Sequence, residues 1–119
     1  MSSWTDWNIV LDEQGGPNHV GNYCDAPIIG DTKNDEITFE SSFYYIGHFS
    51  KYIRPGAKRI GFSKYTDKLE TTAFRNPDGT IAVIVMNRTE QELPFTLRLH
   101  DELAENMIPA HAIQTLLIK

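Results

Sequence analysis

The chain has 119 residues, 40% of them hydrophobic and 23% charged, with a formal net charge of −5. That length accommodates one domain, or one domain and part of another, with a genuine buried core. The acidic balance argues against nucleic acid or an anionic membrane as partner, the lone Cys24 excludes an internal disulfide, and no apolar run approaches the ~20 residues of a transmembrane helix.

The first residues carry no basic, apolar leader, so a chain that starts naturally at Met1 is expected to stay in the cytoplasm. Trp4-Thr5-Asp6-Trp7-Asn8 is followed by an apolar run to Leu11 that is strand-like and too short for a helix. Asp12 to Asn22, punctuated by Gly15, Gly16, Pro17 and Gly21, reads as a long irregular loop. Long loops in compact domains are usually functional or disordered. Ile28 and Ile29 make a brief apolar step before a polar turn. Cys24 reads as a small buried hydrophobe rather than a reactive thiol.

Phe39, Phe43, Ile46, Phe49 and Ile53 then recur at spacings near 3.6, which predicts a helix over residues 39–54 with one buried stripe. Glu40 at its start and Lys51 and Arg54 at its end suit the macrodipole, and Pro55-Gly56 stops it. Gly47 sits inside this helix, where glycine costs about 1 kcal/mol relative to alanine, and so predicts close packing against another element.

After Pro55 the period changes to two. Strands are expected over Arg59–Tyr65 and Leu69–Arg75, with a tight turn at Asn76–Thr80. Ile81–Met86 is uniformly apolar, as a central strand covered on both faces would be. Phe95, Leu97 and Leu99 alternate with Thr96, Arg98 and His100, the pattern of a half-buried strand. Ala112–Ile118 closes the chain as another strand. The fold class that follows is mainly β: an antiparallel β-sandwich over residues 57–119, preceded over residues 1–56 by a loop-rich segment and one helix.

The chemistry visible by residue type is sparse. His19, His48, His100 and His111 lack metal-ligand spacing, no glycine-rich phosphate loop opens a helix, and no serine sits in a nucleophile elbow. No metal or other cofactor is expected. Asp6, Asp12, Glu13, Asp25 and Asp31 cluster in the loop-rich part, but a catalytic carboxylate pair is defined by separation in space. Among 16 acidic residues, solvated charges and turn acceptors are the ordinary roles. Trp4, Trp7, Asn8, His19, Asn22 and Asp25 combine flat apolar faces with directed hydrogen-bonding groups, the materials of a sugar site. They equally suit a sheet end with caps and buried aromatics, and residue types alone leave both readings open. Asn87-Arg88-Thr89 matches an N-glycosylation sequon, a pattern expected by chance without a secretory leader.

The order of the motifs carries more. WTDWN (4–8), GGPN (15–18), NYCDAPII (22–29), FYYIGHFSKYIRPGAKRIG (43–61) and NPDGTIAVIVMNRT (76–89) resemble the C-terminal part of glycoside hydrolase family 30, the glucosylceramidase type. The resemblance runs over nearly the whole chain. It implies a retaining β-glycosidase built as a (β/α)₈ barrel with a β-sandwich. Residues 1–56 would be the last barrel strand, loop and helix, and residues 57–119 most of the sandwich. Barrel enzymes hold their sites at the C-terminal ends of the strands. The resemblance accordingly implies that Trp7 and Asn22 line the sugar pocket, with Trp4, Asp6 and Asn8 supporting them. It places the acid/base and nucleophile glutamates on earlier barrel strands, outside these residues, so that no catalytic residue is expected in this chain and a glucoside is its partner only once the barrel is supplied. It also implies a sandwich short of a strand.

Two other readings remain at this point. One is a small non-catalytic sandwich that binds or self-associates through the exposed helix stripe of Phe39, Phe43, Ile46 and Phe49. The other is a small active enzyme using Asp6 or Glu13.

Overall fold

A computed structural model of the chain describes residues 3–21 and 23–119. The chain divides after Gly47 into two compact units. It is mainly β, with one helix among the described residues.

The first unit is built on three short strands: β1 (Val10–Asp12), β2 (Ile28–Asp31) and β3 (Glu36–Phe39). β1 runs parallel to β2, and β2 antiparallel to β3. Leu11 and Ala26 are the buried apolar residues among those described in it. The β2–β3 turn follows from Asp31, whose carboxylate accepts the Lys33 and Asn34 amides at 2.9 and 3.1 Å. Asp35 takes the left-handed conformation, φ 54°, that aspartate tolerates better than most residues. The segment expected to be loop and polar turn therefore holds two strands.

Helix α1 spans Ser41–Tyr52. It begins later than its periodicity indicates: Phe39 ends β3, and Glu40 lies just before the helix, its carbonyl accepting the Phe43 amide at 3.0 Å. The expected buried stripe is not buried in this chain, since none of the helix residues is. Phe39 and Phe43 instead contact each other, ring centroids 4.7 Å apart, with Tyr44 edge-on to Phe43. The close packing expected at Gly47 is absent as well: apart from its chain neighbours and its own helix backbone, a Cβ there would meet no described atom within 4 Å.

The second unit is an antiparallel β-sandwich. Its larger sheet has the order β4 (Lys58–Arg59), β5 (Leu69–Arg75), β6 (Ile81–Asn87) and β9 (Ile113–Ile118). Its other layer is a ribbon of β7 (Leu93–Leu99) and β8 (Glu102–Ile108). The expected strand over Arg59–Tyr65 contracts to β4, extended only by the Ile60 amide bonding to Ala73. β8 had no clear signal in the sequence.

Antiparallel register puts partners on the same face. Leu69, Ala73, Ile81, Val83 and Val85 share the inner face of the large sheet, and Leu93, Phe95, Leu97 and Leu99 pack against it from the ribbon. β6 lies between β5 and β9 and is buried on both faces, as its uninterrupted apolar run required. On its outer face Ile84 pairs with Thr115, whose Oγ1 lies 2.8 Å from His48 Nδ1, so the end of α1 rests on that side. The β5–β6 turn closes as expected, with Asn76 N–H donating to Thr80 O at 2.8 Å and Gly79 at φ 87°.

The two layers do not cover each other completely. An apolar cleft of about 700 Å³ stays open between them, lined by Phe62, Leu69, Phe95, Leu97 and Ile118 among others.

Candidate functional site

The candidate site lies in the first unit, around the entry to β1 and the loop from β1 to β2. The base of that loop is tightly specified. Asp12 Oδ1 accepts the amides of Gln14 and Gly16 at 2.9 and 2.7 Å, and the Asp12 amide donates to Gly16 O at 2.7 Å. Gly15 has φ 80°, and a Cβ on it would sit 2.6 Å from Cys24 O. Only glycine fits there, because the two limbs of the loop pass in backbone contact.

Glu13 ties the same loop to the turn after β2. Its Oε2 accepts the Thr32 amide at 3.0 Å, and its Oε1 accepts the Thr32 hydroxyl at 3.0 Å. These bonds, the Thr32 main-chain N–H foremost, hold the Glu13 carboxyl below its usual range. An ionised carboxylate with both oxygens engaged is an anchor and has no proton to deliver as a general acid. Asp6 Oδ1 accepts the amide of the adjacent Trp7 at 2.8 Å, and Asp25 Oδ1 that of Ala26 at 2.9 Å. Both are short-range backbone acceptors.

Trp4 and Trp7 keep 75% and 76% of their surface exposed. Neither is a core aromatic of this unit. Asn8 is half-buried and His19 is exposed. Asn22 lies outside the described residues. Tyr23 is a further aromatic exposed on the same loop, and its place between Asn22 and Cys24 in the sequence is the signal that points to it. Among the described residues no three His, Cys, Asp or Glu side chains converge as metal ligands. No helix among the described residues is long and apolar enough to cross a membrane.

Two family models match the chain. One, described as the glycosyl hydrolase family 30 TIM-barrel domain, covers residues 1–53. The other, the glycosyl hydrolase family 30 beta sandwich domain, covers residues 56–116. Lysosomal acid glucosylceramidase of Mus musculus is 42% identical over 98% of this chain. The chain belongs to glycoside hydrolase family 30.

Solved structures agree. The crystal structure of SrfJ from Salmonella typhimurium superposes with a TM-score of 0.89 at 42% identity over 95% of the chain. The endo-β1,6-glucanase BT3312 gives 0.83 at 30% identity over 92%. The chain spans about a quarter of these proteins: 23% of the mouse enzyme and 25% of each of the two structures. The resemblance carried by WTDWN, GGPN and the motifs after them is thus a family relationship, and the mainly β architecture with its antiparallel sandwich is that of the C-terminal part of a family 30 enzyme.

Proposed function

We propose that these residues serve a retaining β-glycosidase of glucosylceramidase type, which hydrolyses β-glucosidic bonds once a barrel carrying its two carboxylates completes the site. The observation that carries this reading is the 42% identity with a glucosylceramidase over 98% of the chain, set against coverage of only 23% of that enzyme. Retaining hydrolysis needs two carboxyl groups about 5 Å apart across the scissile bond. The acids on this loop are engaged elsewhere: Glu13 with Thr32, Asp12 with Gln14 and Gly16. Trp7 and Asn22 are proposed to line the sugar pocket, with Trp4, Asp6 and Asn8 holding that wall. Two exposed indole faces leading into β1 support the reading, because a pyranose ring binds by stacking on such a surface.

The open cleft of the sandwich supports a related proposal, that its layers are completed by strand from outside these residues. The test is hydrolysis of an aryl β-glucoside. The chain alone is expected to be inactive, and activity is expected when the preceding barrel is supplied. Turnover by the purified chain alone overturns the proposal.

A second reading rests on the exposed Phe39, Phe43 and Tyr44. Covering an apolar face of this kind is worth about 25 cal/mol per Å², so self-association through these rings is proposed for the isolated chain. Light scattering over a concentration series tests it; a strictly monomeric species with α1 formed overturns it.

A further inference from the structure

Asn87, the acceptor position of the Asn87-Arg88-Thr89 sequon, ends β6 with only 1% of its surface exposed. Its amide nitrogen carries two hydrogens. It donates to Gln91 O at 2.7 Å and Pro109 O at 2.9 Å, with Ile108 O at 3.3 Å sharing the second. Its oxygen accepts from the Thr89 amide at 2.9 Å and the Thr89 hydroxyl at 2.8 Å. The Asn87 main-chain amide adds a bond to Ala112 O at 2.8 Å. Gln91 leads into β7, Ile108 ends β8 and Pro109 follows it, and Ala112 precedes β9. One residue thus joins the end of the central strand to both strands of the ribbon and to the last strand of the large sheet.

We propose that Asn87 is a structural crosslink of the sandwich, and that this sequon is therefore closed to N-glycosylation in the folded protein. A glycan on Nδ2 replaces one amide hydrogen with a sugar carbon. That carbon would fall where a carbonyl oxygen now lies within 2.9 Å, and it would leave the carbonyl without its donor. The hydroxyl of Thr89, the residue that completes the sequon, is turned onto Asn87 as well. Arg88 alone faces solvent, its guanidinium 4.0 Å from Glu70, which gives the tripeptide the outward character of a surface site.

The test secretes the protein from a glycosylating eukaryotic host and maps glycopeptides in its soluble, protease-resistant fraction. Alongside it runs the Asp78→Asn variant, which puts an acceptor amide on the exposed β5–β6 turn two residues before Thr80. The expected result is a glycan at position 78 of the variant and a bare Asn87 in both proteins. A glycan at Asn87 in that fraction overturns the proposal. Bacterially produced Asn87→Gln and Asn87→Asp provide a readout independent of the host. The crosslink predicts that each lowers the unfolding midpoint by at least ~5 °C. Unchanged midpoints overturn it.

Discussion

Asn76 holds the end of α1 to the β5–β6 turn: its side-chain amide donates to Tyr52 O at 2.9 Å, while its Oδ1 accepts the Arg54 amide at 2.9 Å. The last carbonyls of a helix need partners, as do amides just beyond it, and here one buried side chain serves one of each. Asn76→Ala is expected to destabilise the second unit by about 2 kcal/mol, because it leaves both groups poorly solvated and unpaired. Urea denaturation measures the loss, and faster hydrogen exchange at the Arg54 amide locates it.

His48 gives the same unit a pH dependence. Burial lowers its pKa from the ordinary 6.5, so the folded state binds its proton more weakly than the unfolded state does. Its contribution is complete above pH 6.5 and falls as pH drops from there toward the folded pKa. The unfolding midpoint should decline through that window, and His48→Gln should flatten the decline, since glutamine does not titrate. Equal slopes for the two proteins would contradict the burial of the ring.

Glu13 and Thr32 make a separate prediction for the first unit. The carboxyl should titrate below 4.5 by NMR, its stabilising contribution present above that value and lost as pH falls through the folded pKa. Thr32→Ala removes the hydroxyl but keeps the main-chain N–H, the larger cause, so the titration should move only part of the way back. A carboxyl titrating at its ordinary value in the parent protein would mean that the loop is not tied there in solution.

Gly15 and Gly47 should respond to alanine with opposite signs. At Gly15, with φ 80° and Cys24 O 2.6 Å from the new Cβ, Gly15→Ala must displace the loop backbone. A loss of at least about 1 kcal/mol is expected. At Gly47 the new methyl meets open space inside a helix, so Gly47→Ala should gain about 0.5–1 kcal/mol. Denaturant midpoints of the two variants against the parent decide both.

The strands that could be read from the sequence are those whose two faces differ in exposure. In β7 the half-buried and exposed residues alternate without a break, and the sequence shows the same alternation. β6 is apolar from Ile81 to Met86 because both its faces are covered. β8 stayed hidden because Leu103 and Met107 lie on its exposed face while Asn106 and Ala104 pair with Phe95 and Leu97 on the inner one, inverting the usual pattern. β3 has no buried residue at all, and Phe39 fell into helical register with Phe43 by coincidence. The loop anchors were unreadable for another reason. Glu13 and Thr32 are 19 residues apart, and nothing in either side chain announces the other. The tryptophans were legible as unusual residues, and their exposure required coordinates.

β9 follows β4 through β8 in sequence, yet it lies directly against β6, the most deeply buried strand of the sandwich. A ribosome that has released β4 through β8 has therefore not yet delivered one of the two neighbours that the central strand requires. Folding of this unit therefore waits for residues 113–118, and a premature stop before Ile113 strips a full flank from its most buried strand. Nascent chains arrested short of that point are the form most exposed to chaperones and proteases.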